Sequence, residues 1–245
     1  MAGHSHSANI AVRKGKQDAV RAKLFSKLSR YIMIAARNGG PDPETNLRLR
    51  YAIDKARAVS MPRDNIERAV KKGSGELAGD TMEELSYEGF GPGGVCIFVD
   101  SLTDNRNRTN GEVRKIFERG GGNMGGPGCV GYLFDRKGLF IIDAVGADED
   151  ALMNLALEAG ADDLSRQGDV FEILCDPTLF SQVQEALTQA KVAMKSAEVV
   201  LLPKTPTDVD VETGKKIVKL MDLLDDHDDV QAVWSNAILT AEMME

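Results

Sequence analysis

Apolar residues recur at helical period near the start of the chain. Between Asp18 and Arg37, Val20, Leu24, Leu28, Tyr31 and Ala35 share one face at about 100° per residue, flanked by Phe25 and Ile32, which predicts an amphipathic helix with a buried side. The opposite side carries only cations: Lys23, Lys27, Arg30 and Arg37 line up, and no acidic residue follows Asp18 to pair with them. A second helix is expected from an Asp42–Pro43 cap through Val59, with Leu49, Ala52, Ile53 and Ala56 inward. Pro62 opens a third, whose Ile66, Ala69 and Val70 face the same core and which is expected to stop at Gly73.

From Thr81 the pattern turns to strands. GVCIFVDSL (94–102), GYLFD (131–135) and GLFIID (138–143) are rich in β-formers, and Thr109-Asn110-Gly111-Glu112 reads as a capping box opening a helix that ends near Gly120. Helices at 148–159 and 177–190, an extended pair from Asp163 to Cys175 and a strand from Ala197 to Leu202 follow GLFIID. That order is βαββαβ, the split βαβ plan of a ferredoxin-like domain. A last helix (212–224) and the strand beginning at Asp229 supply the αβ that the 81–135 segment lacks. The expected fold class is therefore α+β: an N-terminal three-helix bundle (1–73), a linker (74–80), and two α/β domains of ferredoxin-like type. The third domain (136–204) is inserted in the second (81–135 plus 205–245).

Charge divides along the same lines. Through Gly73 there are 16 Lys and Arg against 6 Asp and Glu, a balance of +10; beyond it the counts are 14 and 32, a balance of −18, which together give the −8 of the whole chain. A cationic domain on an anionic body points to a polyanion, most often nucleic acid. Residues 1–17 lack periodicity and carry Arg13, Lys14 and Lys16, which reads as a basic arm. Arg106, Arg108, Arg114, Lys115 and Arg119 form the only basic cluster of the acidic body. Asp104, Glu112 and Glu118 partly neutralise it, so a solvated helix is the plainer reading and a second contact point the alternative.

Other chemistry is thin. Gly89 to Gly94 fits G-x-G-x-x-G, but a strand follows where a dinucleotide site needs a helix. The glycine-rich run Gly120, Gly121, Gly122, Asn123, Met124, Gly125, Gly126 lacks a P-loop ending, and its composition suggests a mobile loop that either orders against a partner or simply connects. No nucleophile elbow or H-E-x-x-H is present, and His227, among Asp225, Asp226, Asp228 and Asp229, reads as part of a solvated loop. His4 and His6 lack the further ligands of a metal site, and Cys96, Cys129 and Cys175 read as structural thiols. No enzyme, cofactor or metal is expected, and without a signal peptide or apolar span the expected location is the cytoplasm, away from membranes.

One resemblance covers essentially the whole chain. GHS (3–5), ANI (8–10), QDA (17–19), DPE (42–44), AIDKA (52–56), MPRDNIERA (61–69), YEGFGPGG (87–94) and TDNRNRT (103–109) resemble the YebC/PmpR family. That resemblance implies a helical domain followed by two α/β domains, and a DNA-binding role in transcription regulation. It also implies, as an alternative, a ribosome-associated factor in translation that binds ribosomal RNA or transfer RNA and relieves stalling at proline-rich sequences. Members often begin GHSKWANIKHRK; His6, Ser7, Ala11 and Val12 here replace Lys, Trp, Lys and His, removing an aromatic stacker and two cations from the arm. The expected phosphate contacts are Arg13, Lys14, Lys16, Lys23, Lys27, Arg30 and Arg37. No recognition helix aimed at base edges is identifiable, which favours RNA or shape recognition, and a protein-interaction module is the third reading.

Overall fold

A computed structural model describes residues 21–78 and 82–244. Three helices come first: α1 (Arg21–Gly39), α2 (Leu47–Ala58) and α3 (Arg63–Ser74). Their core is Leu28, Ile32, Ala35, Leu49, Ala52, Ile53, Ala56 and Ile66, the faces expected from periodicity. The caps differ from expectation. Asn46, not Asp42, caps α2: its Oδ1 accepts from Leu49 N at 3.0 Å, and its Nδ2 donates to Ala35 O and Gly40 O at 2.8 Å, tying the α1–α2 turn together. Asp42 instead closes the turn before it, accepting from Glu44 N. α3 runs past Gly73 to a left-handed cap at Gly75. Gly73 is a packing residue, since a Cβ there would lie 2.3 Å from Met33 O on α1.

The remaining strands form two four-stranded antiparallel sheets. The first comprises β1 (Glu83–Phe90), β2 (Cys96–Thr103), β3 (Asn123–Met124) and β8 (Val230–Ser235), in the order β3-β1-β2-β8. The second comprises β4 (Phe134–Asp143), β5 (Ala161–Gln167), β6 (Val170–Cys175) and β7 (Met194–Pro203), in the order β5-β6-β4-β7. GYLFD and GLFIID are thus one strand, entered through a 3-10 turn at Gly131–Leu133.

On one face of the first sheet lie α4 (Arg106–Arg119) and α7 (Val211–Asp225), whose Val113, Ile116, Phe117, Ile217, Leu220 and Leu224 pack against Ile97, Val99 and Val233. On the second sit α5 (Glu149–Glu158) and α6 (Phe180–Gln189), around Phe140, Phe171 and Ile173. The second sheet has the strand order of the split βαβ plan. The first shares its two layers but places the β1–β2 hairpin at the centre. The short α8 (Ala241–Met244) covers α7: a Cβ on Gly214 would lie 2.4 Å from Met243 Sδ.

The helical bundle touches both sheets. Tyr51 packs edge-on against Phe180 with centroids 5.1 Å apart, and its hydroxyl accepts from Val199 N. Arg48 and Glu84 pair at 2.7 Å. Between these contacts lies a cavity of about 1120 Å³, with Tyr31, Phe98, Glu198, Leu202 and Trp234 among its walls.

Candidate nucleic-acid interface

Of the cations singled out in the sequence, Arg13, Lys14 and Lys16 lie outside the described residues. Three of the four cations of the α1 stripe are turned onto the chain itself. Lys23 donates to the Asp226 carbonyl and pairs with its carboxylate at 3.2 Å; Lys27 donates to Asp225 O at 2.6 Å and pairs with its carboxylate at 3.2 Å. Arg30 donates to the Asp228 carbonyl and to Asp229 Oδ1 at 2.9 Å. The Asp225 and Asp226 carbonyls lie at the C-terminal end of α7, where C=O groups run out of helical partners and the dipole favours cations. Arg37, the fourth of the stripe, is exposed and donates to Met82 O.

The aspartate run is therefore more than a solvated turn, which corrects the expectation for His227 and its neighbours. Asp229 is 2% exposed. Its Oδ2 accepts from Thr109 at 2.6 Å, Arg108 at 2.7 Å and Thr103 at 3.0 Å, while Oδ1 takes Arg30. Burial works against its charge, but the Thr109, Arg108 and Thr103 donors outweigh it and, with Arg30, hold the carboxyl below its ordinary range. The Asp229 backbone N–H donates to His227 Nδ1, which leaves Nε2 as the protonated nitrogen, 2.8 Å from Glu112. A sequence scan shows five acidic and imidazole residues in a row; only the last of them abuts a strand, and that position was the available signal for burial.

α4 carries the opposite situation. It begins at Arg106, capped by Asn105, whose side chain accepts from Arg108 N; Thr109 is no cap but a buried member of the Asp229 network. Arg108 is bound to Asp229 and Asp104. Arg106, Arg114, Lys115 and Arg119 are exposed and form no ion pair among the described residues. On α3, Arg68, Lys71 and Lys72 are likewise exposed.

The glycine-rich segment is held by the chain itself. Asn123–Met124 pairs with β1, and Gly125 N donates to Glu88 O. The Glu88 carboxylate, on a residue 7% exposed, accepts from Gly128, Val130 and Gly131 N–H at 2.6–2.7 Å. Most of the glycines have an internal reason. A Cβ on Gly120 would meet Leu220, on Gly122 Phe90 O, on Gly125 Cys129 Sγ, each at 2.5 Å, and Gly121 has φ 76°. Gly126 has neither a crowded Cβ direction nor a positive φ. Glu88 escaped the sequence reading because a glutamate within YEGF resembles any outward strand residue.

Among the described residues no group of three or more His, Cys, Asp or Glu side chains could hold a metal ion, and no helix is long and apolar enough to cross a membrane.

Residues 5–76 match the family described as "TACO1/YebC protein N-terminal domain", and residues 82–237 that described as "TACO1/YebC second and third domain". A "Probable transcriptional regulatory protein" of Natranaerobius thermophilus is 52% identical over 248 residues, covering 100% of this chain and 99% of its own. "Probable transcriptional regulatory protein GSU1074" of Geobacter sulfurreducens is 49% identical over 245 residues, covering 100% and 99%. Among solved structures, "Crystal Structure of a Conserved Hypothetical Protein Aq1575 from Aquifex Aeolicus" superposes with a TM-score of 0.83 at 45% identity, covering 93% of this chain and 94% of that one. With both its helical part and its two-sheet part matched, the chain belongs to the TACO1/YebC family.

Proposed function

We propose that the chain is a nucleic-acid-binding regulator of gene expression. The observation that carries this is charge segregation: a balance of +10 through Gly73 joined to a body of −18. Cations remain exposed on that helical part even with Lys23, Lys27 and Arg30 engaged by residues 225–229. The relatives' names, "Probable transcriptional regulatory protein", support regulation at the level of transcription, a reading in which DNA is the bound polyanion. In this reading Arg13, Lys14, Lys16 and Arg37 contact phosphates, and Lys23, Lys27 and Arg30 join them when α1 lifts from the α7 terminus. Regulation is by binding and not by catalysis, in the cytoplasm.

A second reading places the protein on ribosomal RNA or transfer RNA as a translation factor. What favours it is the flat setting of α4 on its sheet, taken up below.

The test is fluorescence anisotropy of the intact protein with labelled duplex DNA and structured RNA, titrated over about 50–300 mM salt. The expected result is a linear fall of log affinity with log salt, each displaced phosphate counterion adding roughly 0.7–0.9 to the slope. A flat dependence, or no binding to either probe, sinks the reading in favour of a protein-interaction module.

A further inference from the structure

We propose that the outward face of α4 is an RNA-docking surface, with Gly111 at its point of closest approach. The proposal rests on the nucleic-acid reading above and names the surface that performs it. Thr109, Val113, Ile116 and Phe117 turn inward. At helical period the opposite side is then Asn107, Gly111, Lys115 and Glu118, with Asn110 and Arg114 on its flank, and all six are exposed.

Two independent features mark this face. The first is charge. Arg114 and Lys115 on this face, and Arg119 beside it, have no ion-pair partner among the described residues, whereas Arg108, turned toward Asp229, has two within 3 Å. Glu118 is the one carboxylate on the face. Three cations on or beside this face, unpaired among the described residues in a body otherwise rich in acid, are complementary to a polyanion.

The second is Gly111. Glycine weakens a helix interior relative to alanine, and it is retained where a positive φ or a close neighbour demands it. Neither applies here: Gly111 has ordinary helical φ, and a Cβ built on it meets nothing within 4 Å. The missing side chain leaves a shallow gap midway along this face that no described residue fills. A ribose–phosphate backbone crossing at that point can touch the helix backbone while Arg114 and Lys115 reach its phosphates.

The setting of the helix selects RNA. α4 lies against β1 and β3 with α7 alongside, so it does not project as a free rod into the deep major groove of B-form DNA. The minor groove of an RNA helix is wide and shallow and displays 2′-hydroxyls, which donate and accept as the Asn107 and Asn110 amides do.

The experiment is anisotropy of the intact protein with a labelled RNA hairpin and the DNA duplex of the same sequence. It uses wild type, Arg114→Glu/Lys115→Glu, Gly111→Ala and Gly111→Leu, each melted in parallel. Wild type is expected to bind the hairpin more tightly than the duplex. The charge reversal should weaken hairpin binding at least about tenfold and flatten the salt slope by about 1.4–1.8, two contacts' worth. Gly111→Leu should weaken it comparably with a melting temperature unchanged or raised, since leucine favours the helix and has room, and Gly111→Ala should fall between. Variants that bind the hairpin as wild type does overturn the α4 surface and leave the nucleic-acid reading standing. Equal or tighter wild-type binding to the duplex overturns the choice of RNA, and binding to neither probe overturns both. A Gly111→Leu protein that melts earlier overturns the gap.

Discussion

Glu88 is 7% exposed and accepts three backbone N–H bonds from a segment rich in glycine. Burial alone would raise its pKa; the Val130, Gly128 and Gly131 donors outweigh burial and set it below the ordinary value of 4.5. A carboxyl whose folded pKa is depressed stabilises the protein above its unfolded pKa and loses that contribution as pH falls through the lower folded value. Glu88→Gln should therefore lower unfolding free energy by about 1–3 kcal/mol at pH 7, where charged acceptors of three N–H groups become a neutral amide. The difference from wild type should shrink as pH drops below 4.5. Urea unfolding of both proteins across that range measures it, and a difference independent of pH would assign Glu88 a packing role only. Little of this was legible in the sequence. Glycine content suggested mobility, because composition records the absence of side chains but not the carboxylate forty residues earlier that gathers the backbone.

At the scale of elements, helices and strands followed from periodicity while their ends did not. The buried faces of α1, α2 and α3 are those predicted, since a 3.6-residue repeat fixes which side meets a core. Caps moved to Asn46 and Asn105, because a cap is decided by which side chain reaches the free N–H groups, and several Asx and Thr residues compete near each start. The α1 stripe was legible as a stripe, but its partner was not: residues 225–229 lie nearly two hundred positions away. Reversing Lys23, Lys27 and Arg30 to Glu, which the sequence alone suggests would spare the fold, is now expected to destabilise it. Glutamates would face Asp225, Asp226 and Asp229, and the buried Asp229, though still held by Arg108, Thr109 and Thr103, would lose its Arg30 bond at a cost of about 1.5–3 kcal/mol. Hydrogen exchange should accelerate in α1 and at the α7 terminus. Unchanged protection there would show these pairs to be incidental surface contacts worth under about 1 kcal/mol each.

At the scale of the molecule, we infer that the chain is organised as the sequence suggests: a helical unit through residue 73, a middle unit from 81–135 plus 205–245, and an inserted unit at 136–204. Support comes from the sheets, since among the described residues β4 to β7 pair only with one another and enclose their own core of Phe140, Phe171, Ile173, Phe180 and Val183. A fragment covering 134–204, which keeps the Phe134–Pro203 end of the β4–β7 pairing, should fold alone and give dispersed amide resonances with a cooperative melt. A fragment that stays unfolded would make the inserted unit dependent on the Tyr51 contact and the sheet behind it.

The β2–β8 pairing also has a consequence for synthesis. Phe98 meets Trp234, so β2 gains its outer neighbour only after the whole inserted segment has been made. At about 5–20 residues per second, that interval is roughly 7–27 s. Throughout it the nascent chain carries a β1–β2 hairpin with one edge unpaired and an apolar face waiting for Ile217, Leu220 and Leu224 of α7. A strand made more than 120 residues after β2 thus closes the sheet begun by residue 83, and a stop or frameshift after about residue 205 would release a chain with β4 to β7 complete and the first sheet open at β2.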